Sequence, residues 1–467
     1  MYEDLTAKEM LNKLLEKHYS DAMEAKKAGR PVGWVASNFP QEFIEVFDLD
    51  VIYPENQTAA IAARSEAPEM IEESESLGYS SDICSYARVS LGFLEKGYSE
   101  SSNVPMPDFL LCCNNICNQL IKWFENISHE LNIPLILVDV PFNNDYEVTE
   151  SRIEYMKGQV DYLIKSLEEI SGKKFDPEKF KKIQEISNET SKQWRRVESL
   201  AQKEPSPVNG FYLFNYMALM VCARGKESTR DCIKKYADEL EELYNKGESQ
   251  YKGEQKHRIM MEGIACWPYL RHNSKYLNQY GINLVGSIYI QTWGRIYSSL
   301  EEMLYSYSNV PDGINLERAV DRRLDIARKS KCDGILVHMN RSCKIWDGFL
   351  LEMVRRVSEE LDIPYAIFDG DQADPSKFSK AQFETRVQGL NEIMDARKEV
   401  KINDWNKKYT WSLRKSLFKS WRIFRKYKGR KKDYRVFSSI HSSWTYLFYG
   451  ISPSNTLVVW NRNGFIL

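Results

Sequence analysis

Asp108-Phe109-Leu110-Leu111-Cys112-Cys113-Asn114-Asn115-Ile116-Cys117 is an apolar run that gives way to polar residues and a thiol. It returns as Asp333-Gly334-Ile335-Leu336-Val337-His338-Met339-Asn340-Arg341-Ser342-Cys343. A short continuous apolar run reads as a strand buried on both faces, the kind found in parallel sheets. Each copy is followed by a helical period, then by Asn132-Ile133-Pro134 or Asp362-Ile363-Pro364. A second apolar strand then ends near Asp139 or Asp369. The unit is βαβ and the chain contains it twice. The expected fold class is therefore α/β: two similar parallel-sheet, flavodoxin-like domains facing a cleft. Parallel sheets bind ligands outside the carboxyl ends of their strands, which places Cys117 and Cys343 at that cleft.

Working outward, residues 8–29 read as a charged amphipathic helix ending at Gly29, 31–37 as a strand, 39–47 as a helix and 51–56 as a second strand. Residues 149–203 and 211–247 keep a helical period. Strands resume at 258–266, 282–290, 332–339 and 365–371. The organisation expected is an N-terminal helix (1–30), a first α/β domain (31–148), a helical segment (149–250), a second α/β domain (251–397) and a basic, aromatic tail (398–467).

With 467 residues, 43% hydrophobic and 28% charged, the chain has the composition of an ordinary globular protein. The start, MYEDLTAKEM, is acidic without an apolar stretch, so no secretory leader is expected. No run approaches the ~18 apolar residues of a membrane span. Nine cysteines at uneven spacing do not form a disulfide framework, and a cytoplasmic setting is expected. The net charge of −2 conceals an asymmetry: residues 396–467 carry 17 Lys and Arg against 3 Asp and Glu, a net of +14, and the rest of the chain a net of −16. So acidic a body repels phosphate, so neither nucleic acid nor a membrane is expected as its partner. The sequence holds neither GxxxxGK[ST] nor GxGxxG after a strand, so this chain is not expected to bind a nucleotide.

A third thiol lies in Ser81-Asp82-Ile83-Cys84-Ser85-Tyr86-Ala87-Arg88. Cys84, the CCNNIC run and Cys343 stand beside small or polar residues at the ends of apolar runs. Thiols at strand ends can meet in a cleft and hold a soft metal centre. Three ligands instead of four leave one metal position open for chemistry. Cys112, Cys113 and Cys117 are all candidates within CCNNIC. Cys222, Cys232 and Cys332 read as buried small hydrophobes. Asp369–Asp374, DGDQAD, reads as turn and cap, since it lacks the rest of a calcium loop. His338 reads as a neutral core histidine.

At this point the chain resembles a known family. YPENQTAAIAAR, GYSSDICSYAR, MPDFLLCCNNICNQLIKW, RIMMEGIACWPYL, HMNRSCK and FDGDQADP with FETRVQGLNE are similar to the α subunits of 2-hydroxyacyl-CoA dehydratases, in the 2-hydroxyglutaryl-CoA dehydratase and benzoyl-CoA reductase family. The likeness covers roughly residues 5–397. EGIACWPYLRH and RSCKIWDGFL are nearest to the (R)-phenyllactoyl-CoA branch, with the (R)-2-hydroxyisocaproyl-CoA and lactoyl-CoA branches as alternatives. The resemblance implies a heterodimer with a β subunit and a 4Fe–4S cluster held by Cys84, Cys117 and Cys343, one iron position being free of cysteine and open to substrate oxygen. It implies Glu55 and Ser37 beside the cluster, Glu55 as an acid or base and Ser37 as a hydrogen-bond donor. Without the resemblance, Glu55 reads as a surface or capping residue and Ser37 as an N-cap. It also implies an ATP-dependent 4Fe–4S activator protein fed by ferredoxin or flavodoxin, and a CoA-transferase in the same amino-acid fermentation of an anaerobe.

The implied chemistry is hydro-lyase chemistry with a difficulty. Water must leave a 2-hydroxyacyl-CoA with a proton from C3, yet the carbonyl acidifies C2. One recycled electron, giving a ketyl radical, reverses that polarity. A non-catalytic, cluster-carrying electron-transfer subunit is the rival reading from another class. A ring-reducing acyl-CoA reductase is the rival enzyme. The tail departs from the family: 15 of its last 72 residues are aromatic, and 415–432 mixes Lys and Arg with aromatics. It reads as an anionic-surface or RNA-binding extension, a docking arm, or the product of a changed reading frame.

Overall fold

The computed structural model describes residues 4–400 and, beyond them, only the backbone of three short strands. The chain divides into two units, Met1–Arg397 and Lys398–Leu467. In the second unit the described strands, Phe437–Ser439, Leu447–Ile451 and Leu457–Trp460, pair antiparallel. The basic 415–432 segment lies outside the described residues.

The first unit holds two four-stranded, all-parallel sheets. One is built from β1 (Val32–Val35), β2 (Asp50–Ile52), β3 (Phe109–Cys113) and β4 (Leu135–Val138), in the order β2-β1-β3-β4. The other is built from β5 (His257–Glu262), β6 (Ile282–Gly286), β7 (Gly334–Asn340) and β8 (Tyr365–Gly370), in the order β6-β5-β7-β8. The two orders are the same, and every residue of β1, β3 and β5 is buried, as apolar strands covered on both faces must be.

The repeat read from sequence extends to single hydrogen bonds. Asp108 donates its N–H to Val32 O (2.7 Å) and accepts Val32 N–H on Oδ2 (2.9 Å). Asp333 does the same with Arg258, at 2.7 and 2.9 Å. Each aspartate clamps the start of its strand to the central neighbour. At the other end of each crossover, Asn132 and Asp362 close the helix in the left-handed conformation, both at φ 50°, which short polar side chains tolerate. Ser128 and Ser358 then cap the turn through Ile133 O and Ile363 O, both at 2.6 Å.

The elements differ from the sequence expectation in several places; one is 282–290, where β6 stops at Gly286 and Ile288–Gln291 is a short helix. Residues 51–56 do not continue as a strand: β2 stops at Ile52 and a helix, Pro54–Ala63, begins. Proline fits the first helical position, whose N–H would go unused. Helices Ala67–Ser76 and Ser85–Lys96 follow, packed closely. The middle segment is four helices rather than two: Glu150–Ser171, Pro177–Ala201, Gly210–Cys222 and Glu227–Asn245. Gly172 ends the first at φ +67°, and Asp176 caps the second by accepting the N–H groups of Glu178 and Lys179.

One hydrophobic core joins these parts. It runs from Phe43 and Leu111 through Trp194 and Met217 to Leu336 and Phe368. The buried ion pairs of the first unit include Glu42 with Arg224 (2.8 Å) and Glu262 with Arg323 (2.7 Å). Glu42 also accepts from Ser187 and Tyr307. Breaking such a pair by removing one partner costs about 3–5 kcal/mol, because the other charge is left uncompensated. No helix among the described residues is long and apolar enough to cross a membrane.

Candidate active site

Cys84, Cys117 and Cys343 line one cavity of about 130 Å³. Each sits at the same local position, the residue before the first turn of a helix: Ser85–Lys96, Asn118–Leu131 and Lys344–Leu361. Cys117 and Cys343 reach it from the loops after β3 and β7. Cys84 does not: it follows a turn, not a strand, so the expectation of three thiols at strand ends holds for two. What the three share is a helix N-terminus, where free N–H groups and the helix dipole favour negative charge.

Their electrostatics follow from that geometry. Burial pushes the Cys84 thiol up to about 11 and Cys117 up to about 12, and raises Cys343 well above its ordinary value. Backbone amides one turn into each helix oppose this: Ala87 for Cys84, Leu120 for Cys117, Trp346 for Cys343. The thiols also act on one another, since charge on Cys84 raises both Cys117 and Cys343. Three half-buried thiols on one cavity that repel as thiolates become compatible around a positive centre. Among the described residues no three His, Cys, Asp or Glu side chains are grouped for one metal ion. A multi-iron cluster places each thiolate on a different iron and so does not need that grouping.

Hydrogen bonds across the two halves hold the thiols in place. Ser85 donates its N–H to Ser342 Oγ at 3.0 Å, tying the residue after Cys84 to the residue before Cys343. Gln372 donates from Nε2 to Cys84 Sγ at 2.9 Å and is itself held by Asn340. Asn115 ties the Cys117 loop to Tyr307 O (3.0 Å) and Asn38 O (3.3 Å). Cys112 and Cys113 lie within β3, fully buried, and Cys222 and Cys232 lie in the core. Cys332 is half-buried at the foot of β7.

Glu55 stands in the first turn of helix Pro54–Ala63 and lines the cavity. Its Oε1 accepts the Ser37 N–H at 3.0 Å, and among the described residues Oε2 has no partner. Burial raises this carboxyl to about 7, against the lowering effect of the Ser37 backbone and hydroxyl. Ser37 is not an N-cap. The cap position belongs to Pro40, with helix Gln41–Val46 after it.

The sequence reading missed Asp312. It lines the same cavity, and burial raises its carboxyl to about 7 despite Arg323. It lies in Val310-Pro311-Asp312-Gly313, which reads from sequence as an ordinary turn. The walls are aromatic: Tyr86, Trp123, Trp267, Tyr289, Trp293 and Trp346. His338 is buried, its Nδ1 on Ile264 O and its ring stacked on Phe368, and burial lowers its pKa. In DGDQAD, Asp371 accepts the N–H groups of Ala373 and Asp374, and Asp374 caps the turn after it, so the segment is turn and cap.

The sequence matches the family model for the 2-hydroxyglutaryl-CoA dehydratase D-component over residues 36–394. It is 52% identical over 403 residues to the (R)-2-hydroxyisocaproyl-CoA dehydratase alpha subunit of Clostridioides difficile, covering 86% of this chain and 99% of the relative. It is 50% identical over 394 residues to the (R)-phenyllactyl-CoA dehydratase alpha subunit of Clostridium sporogenes, covering 84% and 97%. A weaker likeness, 24% over 296 residues, covers 60% of this chain and 74% of the (R)-phenyllactyl-CoA dehydratase beta subunit of the same organism. Identities of 52% and 50% do not separate a branched from an aromatic acyl group. The chain belongs to the 2-hydroxyglutaryl-CoA dehydratase D-component family, a family of hydro-lyases, and stands among its α subunits.

Proposed function

We propose that this chain is the α subunit of an iron–sulfur (R)-2-hydroxyacyl-CoA dehydratase. Its substrate is (R)-3-phenyllactoyl-CoA or another aryllactoyl-CoA, converted to the (E)-arylacryloyl-CoA and water in amino-acid fermentation. The observation that carries this reading is the cavity itself: three cysteines at three helix N-termini, two carboxyl groups, and walls of six aromatic side chains. Cys84, Cys117 and Cys343 fit a 4Fe–4S cluster with one iron free of cysteine. When bound, such a cluster supplies a Lewis-acidic iron and a one-electron donor, by the ketyl-radical route of this family.

The protein's own groups do the rest. The Ser37 N–H holds Glu55 by one oxygen and leaves the other, which is buried, without a partner among the described residues. Held protonated to about pH 7, Glu55 supplies the proton that turns the departing 2-hydroxyl into water. Aromatic walls exclude bulk water and suit a flat acyl group. We read each half as flavodoxin-like, since the order 2-1-3-4 is four strands of that five-strand pattern, with the cavity as the cleft between the halves. In this reading the chain works in the cytoplasm with a β subunit, an ATP-dependent 4Fe–4S activator fed by ferredoxin or flavodoxin, and a CoA-transferase. A nucleotide is left to the activator.

A branched acyl group, as in the 2-hydroxyisocaproyl relative's name, is the alternative. The test is anaerobic purification with partner and activator, then a panel of aryl, branched and short 2-hydroxyacyl-CoAs. The expected result is water loss without net electron uptake, with aryllactoyl-CoA giving the highest kcat/KM. A higher value for the branched substrate sinks the aryl assignment. Net electron consumption sinks the dehydratase.

A further inference from the structure

We propose that Asp312 is the base that takes the C3 proton. This rests on the dehydratase reading above, which asks for two proton tasks: one proton given to the leaving oxygen and one taken from carbon. The cavity lining contains two carboxyl groups, Glu55 and Asp312. They come from different elements, Glu55 from the helix after β2 and Asp312 from the loop before helix Leu316–Lys329.

The two carboxyls are held differently. Glu55 has one oxygen tied to an N–H, which leaves the other to carry a proton. Among the described residues, Asp312 makes no hydrogen bond or ion pair through its carboxylate. Its backbone, by contrast, is fixed on both sides: Gly313 N–H donates to Val310 O at 3.0 Å, and Asn143 N–H donates to Gly313 O at 2.8 Å. A carboxyl group in a mostly apolar cavity is expensive without a partner. A loop held on both sides, whose cavity-lining carboxyl group is unpaired among the described residues, suits a base that meets its partner only when substrate is bound. Both carboxyls raise the Cys117 thiol and the Tyr289 hydroxyl, so they act on common neighbours in the cavity.

The step balances without an added reagent. The C3–H and C2–O bonds break and the C2=C3 bond forms. The C3 proton goes to the Asp312 carboxylate, and the departing oxygen leaves as water with the Glu55 proton. Transfer of the proton from Asp312 to Glu55 through solvent resets both groups.

The experiment uses the anaerobic complex with partner and activator, and the 2-hydroxyacyl-CoA it turns over best, with hydrogen or deuterium at C3. Asp312→Asn is expected to keep iron and sulfide, to lower turnover by a factor of roughly 10²–10⁴, and to enlarge the C3 deuterium isotope effect. Glu55→Gln is expected to lower turnover without enlarging it. Asp312→Glu is expected to exceed the Asn variant in turnover. Wild-type-like turnover in Asp312→Asn, an unchanged isotope effect, or Asp312→Glu no better than Asn overturns the assignment. If the unaltered complex dehydrates no 2-hydroxyacyl-CoA, it is the functional reading that fails, not the choice of base.

Discussion

At the scale of single residues, Glu55 carries the sharpest consequence. Its carboxyl is raised from 4.5 to about 7 by burial. An acid that must be protonated gives turnover that falls as pH rises through about 7, and Glu55→Gln removes that limb while lowering turnover. Stability follows the same sign. The folded state binds this proton more tightly than the unfolded chain, so the contribution is complete below about pH 4.5 and is lost as pH rises through about 7. The loss is at most about 3.5 kcal/mol at ~1.4 kcal/mol per pKa unit. Glu55→Gln should flatten that part of the stability curve in denaturant titrations. An unchanged pH profile in the variant removes Glu55 from the proton chemistry. Glu55 was legible only through the family motif YPENQTAAIAAR and Ser37 only through the family resemblance, because nothing local distinguishes a buried glutamate from a capping one. Asp312 was not legible at all: Pro-Asp-Gly is the composition of any tight turn, and only the fold brings the residue to the cavity lining.

At the scale of elements, the strands were readable and several helices were not. Continuous apolar runs such as Phe109–Cys113 announce a strand buried on both faces. The helices Pro54–Ala63, Ala67–Ser76 and Ser85–Lys96 are short, and the first is nearly uniform in apolar character around its axis, so no stripe marks it. Their arrangement is set by close packing instead. A Cβ on Gly92 would stand 1.8 Å from Met70 O, so the helix that begins after Cys84 can lie against its neighbour only with glycine there. Gly92→Ala should cost about 1–3 kcal/mol or more and, by shifting that helix, lower iron retention. Full iron content at wild-type stability would show that this packing does not position Cys84.

At the scale of the whole molecule, the duplicated unit was visible in sequence because both copies keep the same clamp, Asp108 on Val32 and Asp333 on Arg258. What the repeat could not reveal is how the second half reaches the Cys84 loop, through Ser342 to Ser85 and Gln372 to Cys84. Those contacts join residues far apart in sequence and leave no local pattern. The family match ends at residue 394, and the first unit ends at Arg397. Every residue assigned to the site lies before that point. Truncation after Lys398 should therefore leave iron content and turnover within about twofold of the full chain. Loss of iron or of the partner subunit on truncation would make the 398–467 segment part of the working enzyme.

The central claim is that Cys84, Cys117 and Cys343 together hold an iron–sulfur cluster, and iron and sulfide analysis of anaerobically prepared single variants tests it most directly. The account predicts near-complete loss of iron and sulfide on replacing any one of the three by Ala, with full content retained when Cys222 or Cys232 is replaced, since those thiols are packed in the core and do not line the cavity. Full iron in all three ligand variants would contradict it.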